Sequence, residues 1–222
     1  MGPVWCVVVG GGSGRRYGGA KQFERLAGRR VIDHSVAAAA AVCDGVVAVV
    51  PADSLDTDDG VVPGTAAVVA GGADRVGSVR AGLAVVPADA EVVLVHDAAR
   101  PLASTDLFAR VVAAVRSGAE AVIPVVPVAD TIRELTGAPA GSRVVDRDRL
   151  RAVQTPQGFD AAVLRAAYAG DAEATDDAGV VEAAGATVTL VDGEAANRKI
   201  TDPDDRVTAA AVLAARMEDR PA

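Results

Sequence analysis

Residues Val4 to Gln22 read VWCVVVGGGSGRRYGGAKQ. The first six are apolar and mostly β-branched, with no polar residue alternating among them, which is the pattern of a strand covered on both faces. The run then breaks into Gly10, Gly11, Gly12 and Gly14, followed by the cations Arg15, Arg16 and Lys21. A buried strand that opens into a glycine-rich loop belongs to an α/β sheet, where ligands bind beyond the carboxyl ends of the strands. A dinucleotide fingerprint counted from Gly10 puts its third glycine on Arg15, which is too large for the close helix packing that glycine permits. Lys21 follows Ala20 and precedes Gln22, so the G-K-[ST] of a nucleoside-triphosphatase loop is missing as well. Bare amides at Gly10, Gly11, Gly12 and Gly14 with cations close behind suit a polyphosphate and the edge of a base. A plain surface turn with two arginines reads equally well from these residues alone.

Working outward, the same unalternating runs recur at Gly45 to Val50, Glu91 to His96 and Ala119 to Val126. Ala-rich segments of helical length lie between them, near 31–42, 74–86 and 104–117, with Ser104 placed as an N-cap. Strand alternating with helix predicts a doubly wound, mostly parallel sheet of Rossmann-like kind. The alternation changes over about 130–148, where DTIREL and RVVDRDRL flank the turn-forming TGAPAGS. That is a hairpin pattern, too charged for a sheet centre, and it predicts an arm that projects and grips a second subunit. A strand near 150–154, helices near 160–168 and 176–184, a strand at 187–191 and a helix over 203–217 complete the expected order. The whole chain, 1–222, reads as one domain carrying that arm.

Half of the 222 residues are apolar, enough for a full core. The formal charge of −8 argues against a nucleic-acid binder, which needs a basic surface. Any phosphate site must then be a local concentration of cations. Two cysteines and two histidines cannot build a disulfide framework or a zinc cluster, and Cys6 and Cys43 are expected in the core. Neither a signal peptide nor an apolar run of membrane-spanning length is visible, so a soluble cytoplasmic protein is expected, with no membrane partner.

Four further stretches carry candidate chemistry. In VLVHDAARP, 93–101, Asp97 closes a buried strand, where it can hold Mg²⁺ on a nucleotide or simply cap a turn; Arg100 can meet a substrate phosphate. His96 is expected to pack at the strand end. In AGGADRVGSVRAGL, 70–83, a glycine pair precedes a helix with Arg75 and Ser78, which reads as a ring-edge contact or as an ordinary βα turn. Aromatic residues make up 3% of the chain, so stacking platforms are not expected. Lys199 in NRKITDPDD is a phosphate ligand or a surface lysine. Thr155 in QTPQ sits at a strand-end turn, free to bind an anion.

Taken in order, GGGSGRR…AKQ, GG…R..SV, VHDAARP, PV.DT, VDR, TPQ, TDDA and N.KIT resemble the 2-C-methyl-D-erythritol 4-phosphate cytidylyltransferase family of the non-mevalonate isoprenoid pathway, over essentially the whole chain. The resemblance implies that CTP and methylerythritol 4-phosphate give the cytidine diphosphate derivative and pyrophosphate, with Mg²⁺. It implies that Arg16 and Lys21 stabilise the transition state, together with Arg147 and Lys199 as catalytic residues, Lys199 positioning the attacking phosphate. Gly10, Gly11, Gly12, Gly14, Gly72 and Ser78 would hold the nucleotide. Asp97, with its Mg²⁺, would join Arg100, Thr131 and Thr155 around the acceptor. Thr131 and Arg147 would reach the site of a neighbouring subunit, making a homodimer with shared sites. The family usually has P-A-A-G where this chain has Val9 to Gly12, Pro at Ala20 and an acidic residue at Ala73. Competing readings are a ribitol-5-phosphate cytidylyltransferase, a nicotinamide-dependent oxidoreductase, and a non-catalytic nucleotide-binding module.

Overall fold

The computed structural model describes residues 2–12, 19–137, 141–170 and 174–218, without the side chains of 217 and 218. Gly14, Arg15, Arg16 and the middle of the TGAPAGS turn lie outside the described residues. In chain order the elements are β1 (Val4–Val9), β2 (Arg25–Leu26), β3 (Arg29–Arg30), α1 (Val31–Ala40), β4 (Gly45–Val50), β5 (Ala67–Ala70), α2 (Arg75–Leu83) and β6 (Val92–Asp97). Then follow α3 (Thr105–Arg116), β7 (Ala121–Pro127), β8 (Ile132–Leu135), β9 (Ser142–Val145), β10 (Arg151–Val153), β11 (Gln157–Asp160), α4 (Ala161–Ala169), α5 (Asp177–Ala183), β12 (Val188–Asp192) and α6 (Pro203–Glu218).

The unalternating strands are explained by two cores. On β1, Cys6 and Val8 pack with Ile32, Val36 and Phe108 on one face of the sheet, while Val7 packs with Val79, Leu83 and Phe159 on the other. β4 divides in the same way, Val46, Ala48 and Val50 against Val47 and Val49, and so does β6. With both faces buried, these strands are apolar along their length, and β6 departs from that only at its carboxyl end, in His96 and Asp97. Helices α1 and α3 cover the first face; α2, α4 and α5 cover the second. The expected Ser104 cap is present, its Oγ accepting Leu107 N–H. Cys6 is buried as expected, and burial pushes its thiol pKa up, with Cys43 close by adding to the shift. Cys43 is only half-buried.

The main sheet runs β10-β7-β11-β6-β1-β4-β5, with β12 on the far edge of β7. The pairs β1–β4, β1–β6 and β7–β12 are parallel, as the sequence predicts, and β5, a strand outside the expected list, pairs parallel with β4. One element departs from the expectation: Gln157–Asp160 is a strand, not a turn leading into a helix, and β11 runs antiparallel between β6 and β7. A Pro-containing turn at 154–157 hid it, and four residues give little periodicity to read. The short β2–β3 hairpin was also unforeseen; it closes through Ala27 and Gly28 at φ 48° and 83°, the left-handed pair that a tight hairpin turn needs. β8 and β9 pair antiparallel outside the main sheet. Strand order reverses direction about β1, so the carboxyl ends of β1 and β6 form the crevice where such sheets bind ligands.

Candidate active site

At the end of β1, Gly10 N–H donates to Val49 O at 2.7 Å. That amide belongs to the fold and is not among the donors open to a ligand, contrary to the expectation for Gly10. The next glycine touches the second glycine loop. A Cβ on Gly11 would lie 3.1 Å from Gly71 Cα and 3.2 Å from Ser78 Oγ, so the two loops meet at this distance only without side chains. Gly72 is tighter still, since a Cβ there would stand 2.6 Å from the Gly77 backbone. Ser78 is buried, its hydroxyl donating to Asp74 O at 2.8 Å and accepting Gly72 N–H at 3.2 Å. Asp74 in turn caps α2 by accepting Gly77 N–H. Ser78 therefore shapes the loop instead of pointing a free hydroxyl outward. At Gly12 a Cβ would meet nothing within 4 Å among the described residues.

Asp97, at the end of β6, is the centre of a charged cluster. Its Oδ1 accepts from Arg75 Nη1, its Oδ2 accepts Lys199 Nζ at 2.7 Å, and Arg100 Nε stands 3.7 Å from Oδ2. The other end of the Arg75 fork donates to Asp177 Oδ2 at 2.5 Å, and Tyr168 OH donates to Asp177 Oδ1. Burial alone would push the Asp97 carboxyl up, but the Arg75 and Lys199 charges prevail and hold it well below the usual carboxylate range. Burial opposes the charge on Arg75, yet Asp97 and Asp177 raise its pKa further. The Tyr168 hydroxyl is pushed up by burial and by the Asp177 charge, and so stays a donor. Three cations around two carboxylates leave the cluster with surplus positive charge, as an anionic ligand requires.

The loop carrying Lys199 is pinned at several points. Arg100 donates to Asn197 O at 2.8 Å and Val153 O at 3.2 Å, and the buried Asn197 amide donates to Thr155 O at 2.9 Å. Ile200 N–H donates to Ala99 O, and Lys21 Nζ donates to Ile200 O at 2.6 Å, which brings Lys21 to the Lys199 loop. The Thr155 hydroxyl accepts Asp97 N–H at 3.0 Å and bonds His96 Nδ1 at 3.0 Å. Thr155 is buried, not free for an anion as the sequence suggested. Arg100 likewise spends its Nη1 and Nη2 donors on carbonyls, while Nε faces Asp97 Oδ2 at 3.7 Å. Burial pushes the His96 imidazole down to about 4, so it is neutral in the core, packed on Phe108.

The structure thus gathers Gly10, Gly11, Gly12, Lys21, Gly72, Ser78, Asp97, Arg100, Thr155 and Lys199 at one crevice. Thr131 and Arg147 are exposed near the β8–β9 hairpin, and no hydrogen bond or ion pair among the described residues joins them to the cluster. Arg147 donates to Ala129 O at the foot of the hairpin. Arg75 and Asp177 were not singled out as site residues. Arg75 falls on the R of GG…R..SV, and Asp177 on TDDA, where Asp176 caps α5 and turns the next residue, Asp177, into the buried first turn.

Loops with little side chain, backed by cations at the strand ends, can hold a triphosphate while Lys199 and Lys21 face a second phosphate. A family model described as 2-C-methyl-D-erythritol 4-phosphate cytidylyltransferase matches residues 4–215. The protein of that name from Rhodococcus opacus is 48% identical over 217 residues, covering 96% of each chain. The one from Rhodococcus jostii is 46% identical with the same coverage. The crystal structure of 2-C-methyl-D-erythritol 4-phosphate cytidylyltransferase from Thermus thermophilus superimposes with a TM-score of 0.79 at 38% identity, over 96% of this chain and all of that one. With a match that runs from β1 into α6 and a crevice of this composition, the chain belongs to the 2-C-methyl-D-erythritol 4-phosphate cytidylyltransferase family.

Proposed function

We propose that this protein transfers CMP from CTP to 2-C-methyl-D-erythritol 4-phosphate, releasing pyrophosphate, in isoprenoid precursor biosynthesis. The observation that carries the reading is the Asp97–Lys199 pair, set beside the two abutting glycine loops and Lys21 at the carboxyl ends of β1 and β6. An acceptor phosphate oxygen attacks the α-phosphorus in line, and charge builds on the equatorial oxygens and on the departing pyrophosphate. No protein nucleophile is needed; positioned cations supply the stabilisation. In this reading Lys21 and Arg16 meet the developing charge, and Lys199 aligns the attacking phosphate. The loops of Gly11, Gly12, Gly14 and Gly72, shaped by Ser78, hold the nucleotide. Arg100 and Thr155 serve the acceptor pocket from behind, by fixing the Lys199 loop and the Asp97 backbone.

Mg²⁺ enters this reading as part of the nucleotide. Among the described residues no group of three or more His, Cys, Asp or Glu side chains is placed to hold a metal by itself. Mg²⁺ commonly binds through one or two carboxylates with substrate phosphates and waters; Arg75 takes Asp97 Oδ1 and Lys199 takes Oδ2, so Asp97 would serve as a ligand only by sharing Oδ2 with the ion, and the substrate phosphates would hold the rest of it. Such an ion supplies charge neutralisation on the phosphates.

The chain works as a single nucleotidyltransferase unit whose hairpin, within about 130–148, is a dimerisation arm. Leu135 and Val144, 83% and 60% exposed on it, are apolar surface that a second copy would cover. Thr131 and Arg147 would then serve the partner subunit's crevice. No helix among the described residues is long and apolar enough to cross a membrane, and the reading places the reaction in the cytoplasm.

The test is pyrophosphate release with CTP and Mg²⁺, with methylerythritol 4-phosphate and ribitol 5-phosphate as parallel acceptors. Release with the first alone, abolished by chelating the metal while the thermal midpoint stays unchanged, is expected. Release with ribitol 5-phosphate alone moves the acceptor assignment; tight NAD(P) binding without CTP binding refutes the reading.

A further inference from the structure

We propose that Arg75 is a positioning residue for this transfer: by taking Asp97 Oδ1 it leaves only Oδ2 to face Lys199, and so sets where the Lys199 ammonium meets the acceptor phosphate. The inference rests on the cytidylyltransferase reading above and adds a residue to it. Arg75 opens α2, directly after the loop of Gly71 and Gly72, where the Asp74 cap fixes the first turn. Its planar fork reaches two carboxylates from distant parts of the chain, Asp97 at the end of β6 and Asp177 in the first turn of α5. The Asp177 side chain is 1% exposed, and its second oxygen accepts from Tyr168, so it cannot swing. It is a fixed anchor behind Arg75, and the front of the fork defines the plane of the Asp97 carboxylate.

Of the three cations on the cluster, Lys199 is the most exposed, at 38% against 25% for Arg75 and 13% for Arg100. It is the one whose charge can reach a substrate. Without Arg75, the Asp97 carboxylate is released to turn both oxygens towards Lys199 and Arg100, whose Nε already stands 3.7 Å away. The lysine is then drawn inward from the acceptor side. A lysine at position 75 keeps the charge but not the two-pronged geometry, so it restores part of the effect.

Arg75→Met, Arg75→Lys and Asp177→Asn, made in the full chain, are to be compared with wild type. The readouts are pyrophosphate release with each substrate varied in turn, thermal midpoints, and crystal structures. Misplacement of about 1 Å costs about 100-fold, so Arg75→Met should lose about that in kcat/KM for the acceptor phosphate while KM for CTP changes less than about threefold. Arg75→Lys should recover about tenfold of the loss, and Asp177→Asn, which keeps Arg75 but loosens its anchor, should fall between Arg75→Met and wild type. If Arg75→Met does not fold, the double variant Arg75→Met/Asp177→Asn, which removes a buried cation together with a buried anion, replaces it with the same expectation.

A folded Arg75→Met within threefold of wild type would overturn the proposal. So would losses shared equally by CTP and acceptor, or no recovery with lysine at equal stability. Should wild type release no pyrophosphate with any acceptor, the cytidylyltransferase reading fails and the crystal structures decide Arg75 by themselves. A rotated Asp97 with a displaced Lys199 in Arg75→Met supports the positioning role; both unmoved refutes it.

Discussion

His96 shows how one buried side chain ties the site to stability. Its ring is fully buried beside Asp97, bonded to the Thr155 hydroxyl and the Arg100 carbonyl, and its pKa is pushed down to about 4. Unfolded, the same group titrates near its ordinary value of about 6.5. Between those values the unfolded chain binds a proton that the native chain does not, so stability falls as pH drops from about 6.5 to about 4. About 2.5 pH units at about 1.4 kcal/mol each sets an upper bound of about 3.5 kcal/mol on the loss across that window. The Asp97 carboxyl, held low, adds its own loss as pH falls below about 5, where the unfolded carboxylate begins to bind protons. Urea midpoints of wild type and His96→Asn from pH 7 to pH 4.5 check this: the variant should lose the slope, whatever its stability at pH 7. Residues of this kind divide what the sequence can and cannot reveal. Asp97 stands out at the end of a buried strand, whereas Lys199 reads locally as a surface lysine and gains a role only from the ordered run of motifs that resembles a family. That they pair, 102 residues apart, is tertiary information with no local mark, and the same holds for Arg75 with Asp177.

Helix caps separate function from packing at the level of elements. Asp74 caps α2 through Gly77 N–H, and Asp160 caps α4 through Ala162 and Val163 N–H. Replacing either by alanine should cost about 1 kcal/mol of stability, read as a shift in the denaturant midpoint. Only Asp74→Ala should also raise KM for CTP, since its cap holds the turn between Gly72 and Arg75. Asp160 pairs with Val92, at the amino end of β6 and away from the crevice, so Asp160→Ala should leave turnover unchanged. Elements were legible in proportion to their length and to how fully they are buried. The six-residue strands β1, β4 and β6 announce themselves as apolar runs, whereas β5 and β11 have four residues each. β11 gains its place from neighbours on both sides, β6 and β7, and not from a pattern of its own.

For the whole molecule, the arm carries the next expectation. Leu135→Lys places a charge on apolar surface that the dimer reading covers, so the variant should sediment as a monomer where wild type sediments as a dimer, with activity lost alongside. A variant that stays dimeric and fully active would remove the arm from the interface. The antiparallel β11 has a different kind of consequence, for how the chain is made. Among the described residues β7, β10 and β12 join the sheet only through it, because β7 does not pair with β6 directly. While the chain emerges from the ribosome, β1, β4, β5 and β6 are complete long before residues 157–160 exist, and β6 waits with one edge bare. A bare central strand is a template for pairing with another chain. Nascent or truncated chains that end before Gln157 are therefore the forms of this protein most exposed to aggregation and to capture by chaperones, although they already contain most of the crevice.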